Sequence, residues 1–395
     1  MARKNRVTVP DGIYHVTARV AHGAMLFMDG EIKSRIISWM RDIAAFSGVE
    51  VFAFCIMDNH IHLLVHVPRV PEEYWLSPDD EPAAYAFGMR PPERRAPVWQ
   101  PDRGDCPRDG DDAGREASRP PTGFALPDGE MARRLARLRV GRNAAEAESR
   151  RIERRWADMR ARGLSSAVDG EKDRLCRRMY NLSQFVKTLA ERVSQRYNEA
   201  TGHTGCLWQG RFHSGVVENS PDVLAVVAAY IEYNPVKAGI AAKPRSWRWN
   251  SYHLACEDGG EDGKSARRMY ERMLRRPWAE AKARMEAIFA DKPPKGVDAQ
   301  ALEEHMKAVE RIAAGRTRGC ASGSDSAAAA GAMPAIRASQ AIRLAARHIW
   351  RGAYIGRSMV FGDSIARMLP PRFPRPGMRS LRRCMTLSWI LPDAA

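Results

Sequence analysis

The chain of 395 residues carries 63 Lys plus Arg against 47 Asp plus Glu, a formal net charge of +16, and an excess of that size suits a polyanionic partner. No run approaches the ~18 apolar residues that span a bilayer, and Met1-Ala2-Arg3-Lys4-Asn5-Arg6 leads into no apolar stretch, which argues against a membrane protein or an exported one. Seven cysteines, odd in number and never spaced Cys-x-x-Cys, predict reduced thiols rather than a disulfide framework or a thiolate metal site.

In chain order, the pattern predicts a strand over 13–20, a helix over 29–47 and strands over 49–57 and 60–67. Asp58-Asn59 between the last two has tight-turn chemistry and predicts an antiparallel hairpin. After Pro68 the periodicity dissolves. Residues 69 to about 128 are rich in Pro, Gly, Asp and Arg and read as a flexible insertion, followed by a charged helix over 132–162 that either extends from the core or is simply solvated. A helix over 182–199 shows apolar Leu182, Phe185, Val186, Leu189 and Val193. A strand follows at 214–218, and then a helix that opens on Asn219-Ser220-Pro221-Asp222 and is closed by Pro235 and Gly239. Beyond 256 come a Gly-rich linker at 259–263, a helix over 266–289 and a low-complexity linker at 315–331. A basic amphipathic helix at 336–351, a turn at 352–356 and a second helix at 357–369 complete the chain. That last pair is either a helix-turn-helix contact to duplex DNA or a packing appendage. Charge concentrates at the end, with 11 arginines, no lysine and two acids in 331–395. The expected fold is α+β, a ferredoxin-like antiparallel sheet shared with RNA-recognition domains, with helices on one face and a helical C-terminal extension.

The chemistry-bearing residues gather in two places. His60 and His62 flank Ile61 on one strand, so both imidazoles share a face while Ile61, Leu63 and Val65 pack beneath the other. Paired imidazoles begin a divalent-metal site and need a third ligand from elsewhere. In the helix after Pro221, Tyr230 and Asn234 are four apart and project together, so a nucleophile and a ligand arrive side by side. His66, on the same strand face but about 13 Å along it, is too distant to join the same metal. His15 is either a half-buried structural histidine or a neighbour of the ligands. His213 is placed to touch phosphate, and Trp208, Arg211 and Phe212 form an aromatic and basic cluster that either stacks a splayed base or plugs the core.

Four blocks then carry a family resemblance: Gly12-Ile13-Tyr14-His15-Val16-Thr17, Met57-Asp58-Asn59-His60-Ile61-His62-Leu63-Leu64-Val65, Leu207-Trp208-Gln209-Gly210-Arg211-Phe212, and Tyr230-Ile231-Glu232-Tyr233-Asn234-Pro235-Val236-Lys237-Ala238-Gly239. With these the chain resembles REP-associated tyrosine transposases, within the insertion-sequence-200-like, single-tyrosine HUH endonuclease superfamily. The resemblance implies a catalytic domain split over 1–68 and 171–256. Around it lie an insertion at 69–170, partly disordered with a charged helix, a helix with linkers at 257–331 and a basic helical extension at 332–395. It implies metal-dependent cleavage and rejoining of single-stranded DNA at hairpin or palindromic repeats through a 5′-phosphotyrosine. Tyr230 would be the nucleophile, His60, His62 and Asn234 ligands to Mg2+ or Mn2+, and Trp208, Arg211, Phe212 and Lys237 DNA contacts. A tyrosine phosphodiester conserves the bond energy for religation, which agrees with the absence of a Gly-x-x-x-x-Gly-Lys-Ser/Thr phosphate loop. Tyr180, with Gln184 four residues on, is the rival nucleophile, and Tyr233 is expected to pack against the sheet. The implied setting is cytoplasmic, bacterial and nucleoid-associated, with single-stranded or hairpin DNA as partner and the protein a monomer or a homodimer. The rival from another class is a domesticated hairpin-binding regulator with a vestigial metal site. An RNA-binding module would need aromatic residues where the central strand carries His60 and His62.

Overall fold

In the computed structural model, residues 8–76, 123–290 and the pair 354–355 are described. The expected 336–351 and 357–369 helices, the 315–331 linker and the arginine-rich tail apart from 354–355 lie outside them. Strands β1 (Gly12–Arg19), β2 (Glu50–Ile56), β3 (His60–Val67) and β4 (His213–Val217) form an antiparallel sheet in the order β2-β3-β1-β4, and the short β5 (Tyr354–Ile355) adds in parallel at the β4 edge. The turn expected at 352–356 therefore contributes a strand instead. β1, helix α1 (Gly30–Ser47) and β2 make the split crossover around β3. Asp29 starts α1 by accepting the Glu31 N–H, and Gly48 ends it in the left-handed region at φ 72°, where an added Cβ would come within 2.7 Å of the Tyr180 ring.

Alternation along the strands splits the interior in two. Tyr14, Val16, Ala18, Ile61, Leu63 and Val65 face one side, against α1 and helices α2 (Asp128–Ala161), α3 (Ser165–Cys176) and α4 (Leu182–Thr201). Ile13, Cys55 and Leu64 face the other, which receives helix α5 (Pro221–Glu232). The α+β antiparallel sheet is as expected; helices, however, lie on both faces rather than one. The reason is in α5, where Val223 to Ile231 is apolar all round and buries every side chain, as a helix between two layers must. Its outer layer consists of α7 (Ser251–Glu257), α8 (Glu261–Leu274) and α9 (Trp278–Ala290), after the single turn α6 (Asn234–Lys237).

Two expected elements differ. The helix over 266–289 is the pair α8 and α9, broken because Arg275 takes a left-handed φ of 54° just before Pro277, and α8 starts inside the expected 259–263 linker. The charged helix at 132–162 is not merely solvated. Met131, Leu135 and Leu138 pack in the α1 core, while Ile152 and Trp156 are buried further along, beyond a kink at Gly141 with φ 73°.

Candidate active site

β3 begins immediately after the Asp58-Asn59 turn, and that turn is held from both sides. Lys33, only 2% exposed, reaches from α1 to Asp58 at 2.6 Å and lies over the Trp247 and Trp249 rings. Asn59 Nδ2 donates to Gly23 O at 3.2 Å, which orients its carboxamide so that Oδ1 meets His60 Nδ1 at 2.6 Å. With that acceptor in place His60 carries its proton on Nδ1 and its lone pair on Nε2, the arrangement of a metal-ligating imidazole.

His62 follows on the same face, fully buried, its ring 4.9 Å from that of His60. Its Nδ1 is approached by Thr17 Oγ1 at 3.2 Å and His15 Nε2 at 3.1 Å, so Nε2 is the nitrogen it would present to a cation. Burial lowers His60 to a pKa of about 4, assisted by Arg19 and opposed by Asp58. His62 lies well below the ordinary range, through burial and then His15, His60, Arg19 and Lys237. His15 is lowered by burial to about 3. All three rings are neutral near pH 7, as ligation requires.

The Tyr230 ring stands edge-on to both His62 (5.9 Å) and His15 (5.8 Å), and Tyr230 is 2% exposed. Asn234 is half-buried. It does not continue α5: the helix ends at Glu232, a new turn starts at Asn234-Pro235, and Asn234 Nδ2 caps α5 by donating to Tyr230 O (2.9 Å) and Ile231 O (3.1 Å). The carboxamide Oδ1 takes no part in that cap. Among the described residues no three His, Cys, Asp or Glu side chains form a metal cluster. The three side chains expected as ligands, His60, His62 and Asn234, offer two imidazole nitrogens and a carboxamide oxygen, donor types that suit a hard cation such as Mg2+ or Mn2+.

His15, Thr17 and Arg19 belong to this site, yet sequence reading singled out only His15 and left its role open. The signal was the i, i+2, i+4 alternation along β1, and the β1–β3 register sets Thr17 opposite His62 and Arg19 opposite His60. Lys237, just past α5, lies near enough to depress His62. The 207–212 segment runs beside the same end of β1, with Ala21 N–H to Leu207 O at 2.9 Å and Gln209 N–H to Arg19 O at 2.8 Å. Within it Arg211 is exposed and Phe212 half-buried. Trp208 is turned inward, its indole N–H given to Ala190 O and Ser194 Oγ and its ring against Phe27, which makes it a core plug rather than a stacking platform. His213 is exposed, and His66 sits at the far end of β3 between Glu50 and Asp11. Tyr233 is half-buried and belongs to neither core, a departure from its expected packing on the sheet. Tyr180 lies under the opposite face of the sheet, against Phe124 and Arg134, where burial raises its pKa despite the guanidinium.

Residues 8–71, which hold β1, α1 and the histidine hairpin, match the family described as "Transposase IS200 like". That segment is IS200-transposase-like. The chain is also similar to a solved structure of a REP-associated tyrosine transposase bound to a REP hairpin, at 12% identity over 66% of this chain and 87% of that one, with a TM-score of 0.32. No curated protein matches it. Among the described residues no helix is long and apolar enough to cross a membrane.

Proposed function

We propose that the protein is a metal-dependent transposase-type nuclease that cleaves and rejoins single-stranded DNA at hairpin or palindromic repeats through a 5′-phosphotyrosine on Tyr230. The observation that carries this is the edge contact between the Tyr230 ring and the neutral, buried His62 of the IS200-like segment. His60, His62 and Asn234 would hold Mg2+ or Mn2+, which when bound neutralises the phosphate charge and fixes its geometry. Arg19 and Lys237 supply further positive charge around the histidines. Tyr230 Oη forms a bond to phosphorus as the bond to the 3′ oxygen breaks. The phenolic proton is released to water and the departing oxygen becomes a 3′ hydroxyl; attack by another 3′ hydroxyl reverses the step. Because Tyr230 is 2% exposed, phosphate entry requires the side chains that cover it to shift. That same burial is what would favour the second reading, a hairpin-binding regulator without cleavage.

The test is incubation of the protein with a pool of labelled single-stranded hairpins and Mn2+, denaturing gels, and peptide mapping of any adduct. The expected result is a covalent adduct on Tyr230, abolished by a chelator and by Tyr230→Phe, with hairpin binding retained in that variant. An adduct on Tyr180 would move the nucleophile. Hairpin binding with no adduct across the pool would select the regulator.

A further inference from the structure

The charged part of the insertion forms a surface that the chemistry above does not use. In the second half of α2, Ile152 and Trp156 anchor the helix, and the Trp156 indole donates to Glu171 on α3 at 3.1 Å. The remaining side of that half faces solvent and lines a cleft of about 420 Å³ with Arg151, Arg154, Arg155 and Arg162. All four are exposed. Arg155 pairs with Glu171, and Arg151 approaches Glu148 only at 3.8 Å. Among the described residues neither Arg154 nor Arg162 has an acidic side chain within ion-pair distance, and Arg154 Nε merely touches the Arg150 carbonyl at 3.3 Å. One acid, Asp158, lies in the cleft with them.

We infer that this cleft is a phosphate-gripping surface for duplex DNA, separate from the histidine and tyrosine site. The spacing favours a regular backbone. Residues 151, 155 and 162 fall on one helical stripe with 154 beside them, and eleven residues at 1.5 Å per residue extend about 16 Å. Each strand of a duplex carries a phosphate every ~3.4 Å of helix axis, dense enough to face every arginine of such a row. Arginine forks suit such oxygens bidentately. The apolar floor decides against a single strand: it is Met159 and Leu164, the latter 47% exposed, with no aromatic ring on which bases could stack. A row of like charges along the half of α2 beyond the Gly141 kink also matches a stiff polyanion better than a folded acidic protein. The surface lies on the α1 side of the sheet, opposite the histidines, so it rests on nucleic acid as the partner but not on cleavage at Tyr230.

The experiment measures binding of the full chain to a 20-base-pair blunt duplex of arbitrary sequence, and to a single strand of equal length, across a salt series. The charge-reversed Arg154→Glu/Arg162→Glu protein is compared with wild type and with Arg154→Lys/Arg162→Lys. The expected result is a loss of duplex affinity of about tenfold or more near 0.1 M salt. The slope of log K against log salt falls by roughly 0.9 per arginine removed, while the lysine pair keeps it. Single-strand binding changes little. Unchanged duplex affinity and slope would overturn the inference, and so would an equal loss on the single strand. Displacement of wild-type binding by polyglutamate that the charge-reversed protein lacks, with duplex affinity unaltered, would assign the cleft to an acidic protein instead. Matching circular dichroism and melting temperatures exclude misfolding. Adduct formation on Tyr230, scored separately on a short hairpin, stands or falls independently.

Discussion

Tyr230 is followed two residues later by Glu232, whose carboxyl is fully buried in the α5 layer, and burial there acts oppositely to burial of the histidines. Glu232 Oε1 accepts from Ser251 at 2.6 Å and from Tyr270, yet desolvation outweighs both bonds and raises its pKa from 4.5 to about 8. The folded state thus keeps a proton that the unfolded chain releases above pH 4.5. Its contribution is complete below 4.5 and is lost as pH rises towards 8. For His15, held at about 3 against an ordinary 6.5, the unfolded chain takes up the proton first, so stability is complete above 6.5 and falls as pH drops towards 3. The unfolded-state titration of the buried histidines near pH 6.5 opposes the decline from Glu232, so the Glu232 part is isolated by comparison with a variant that keeps the histidines. Relative to Glu232→Gln, the unfolding free energy of the wild type is expected to fall as pH rises from 6.5 to 8, by at most about 1.4 kcal/mol per pH unit. Urea titrations at pH 6.5, 7.2 and 8 check it, and a parallel decline in the variant would move the effect elsewhere. Glu232 was invisible in sequence because an acid in Tyr-Ile-Glu-Tyr-Asn-Pro reads as helix surface; only the outer layer of α7 and α8 makes it interior.

The histidine hairpin shows which elements the sequence makes legible. β3 starts and ends where alternation and the Asp58-Asn59 turn predict, and α1 is bounded by an Asp cap and a left-handed Gly, both local signals. What holds the turn is not local. Lys33 looks like one charged position among several at the start of α1, yet its ammonium is 2.6 Å from Asp58, under two tryptophans that arrive from more than 200 residues later. Removing it leaves Asp58, 23% exposed, without its cation. Lys33→Met is therefore expected to cost about 2 kcal/mol, less than a fully buried pair because water still reaches the carboxylate. It should also loosen the Asn59 to His60 bond and weaken Mn2+ binding. Urea unfolding and Mn2+ titration of the same variant test both effects, and a stability change under about 0.5 kcal/mol would show the pair to be decorative.

On the scale of the whole molecule, the two cores meet across the sheet and at Trp249 and Leu254, which pack against both, so whatever stabilises one face supports the site on the other. The insertion helix takes part in this. Its ten arginines hide an apolar stripe from sequence reading, because the Gly141 kink interrupts the register between Met131, Leu135 and Leu138 before it and Ile152 and Trp156 after it. Those first three side chains share the core of α1, Tyr14 and Leu63, on the reverse of the strand that carries His60 and His62. Leu135→Ala leaves a cavity in that shared core and is expected to cost about 3 kcal/mol. The consequence separates an integral element from an appendage. If α2 folds as part of the core, hydrogen exchange in Leu135→Ala accelerates together in α1, β1 and the histidine hairpin, and a single unfolding transition moves to lower urea. Faster exchange confined to α2, with the hairpin amides unchanged, would instead make the insertion a separately stable arm whose loss the IS200-like segment survives.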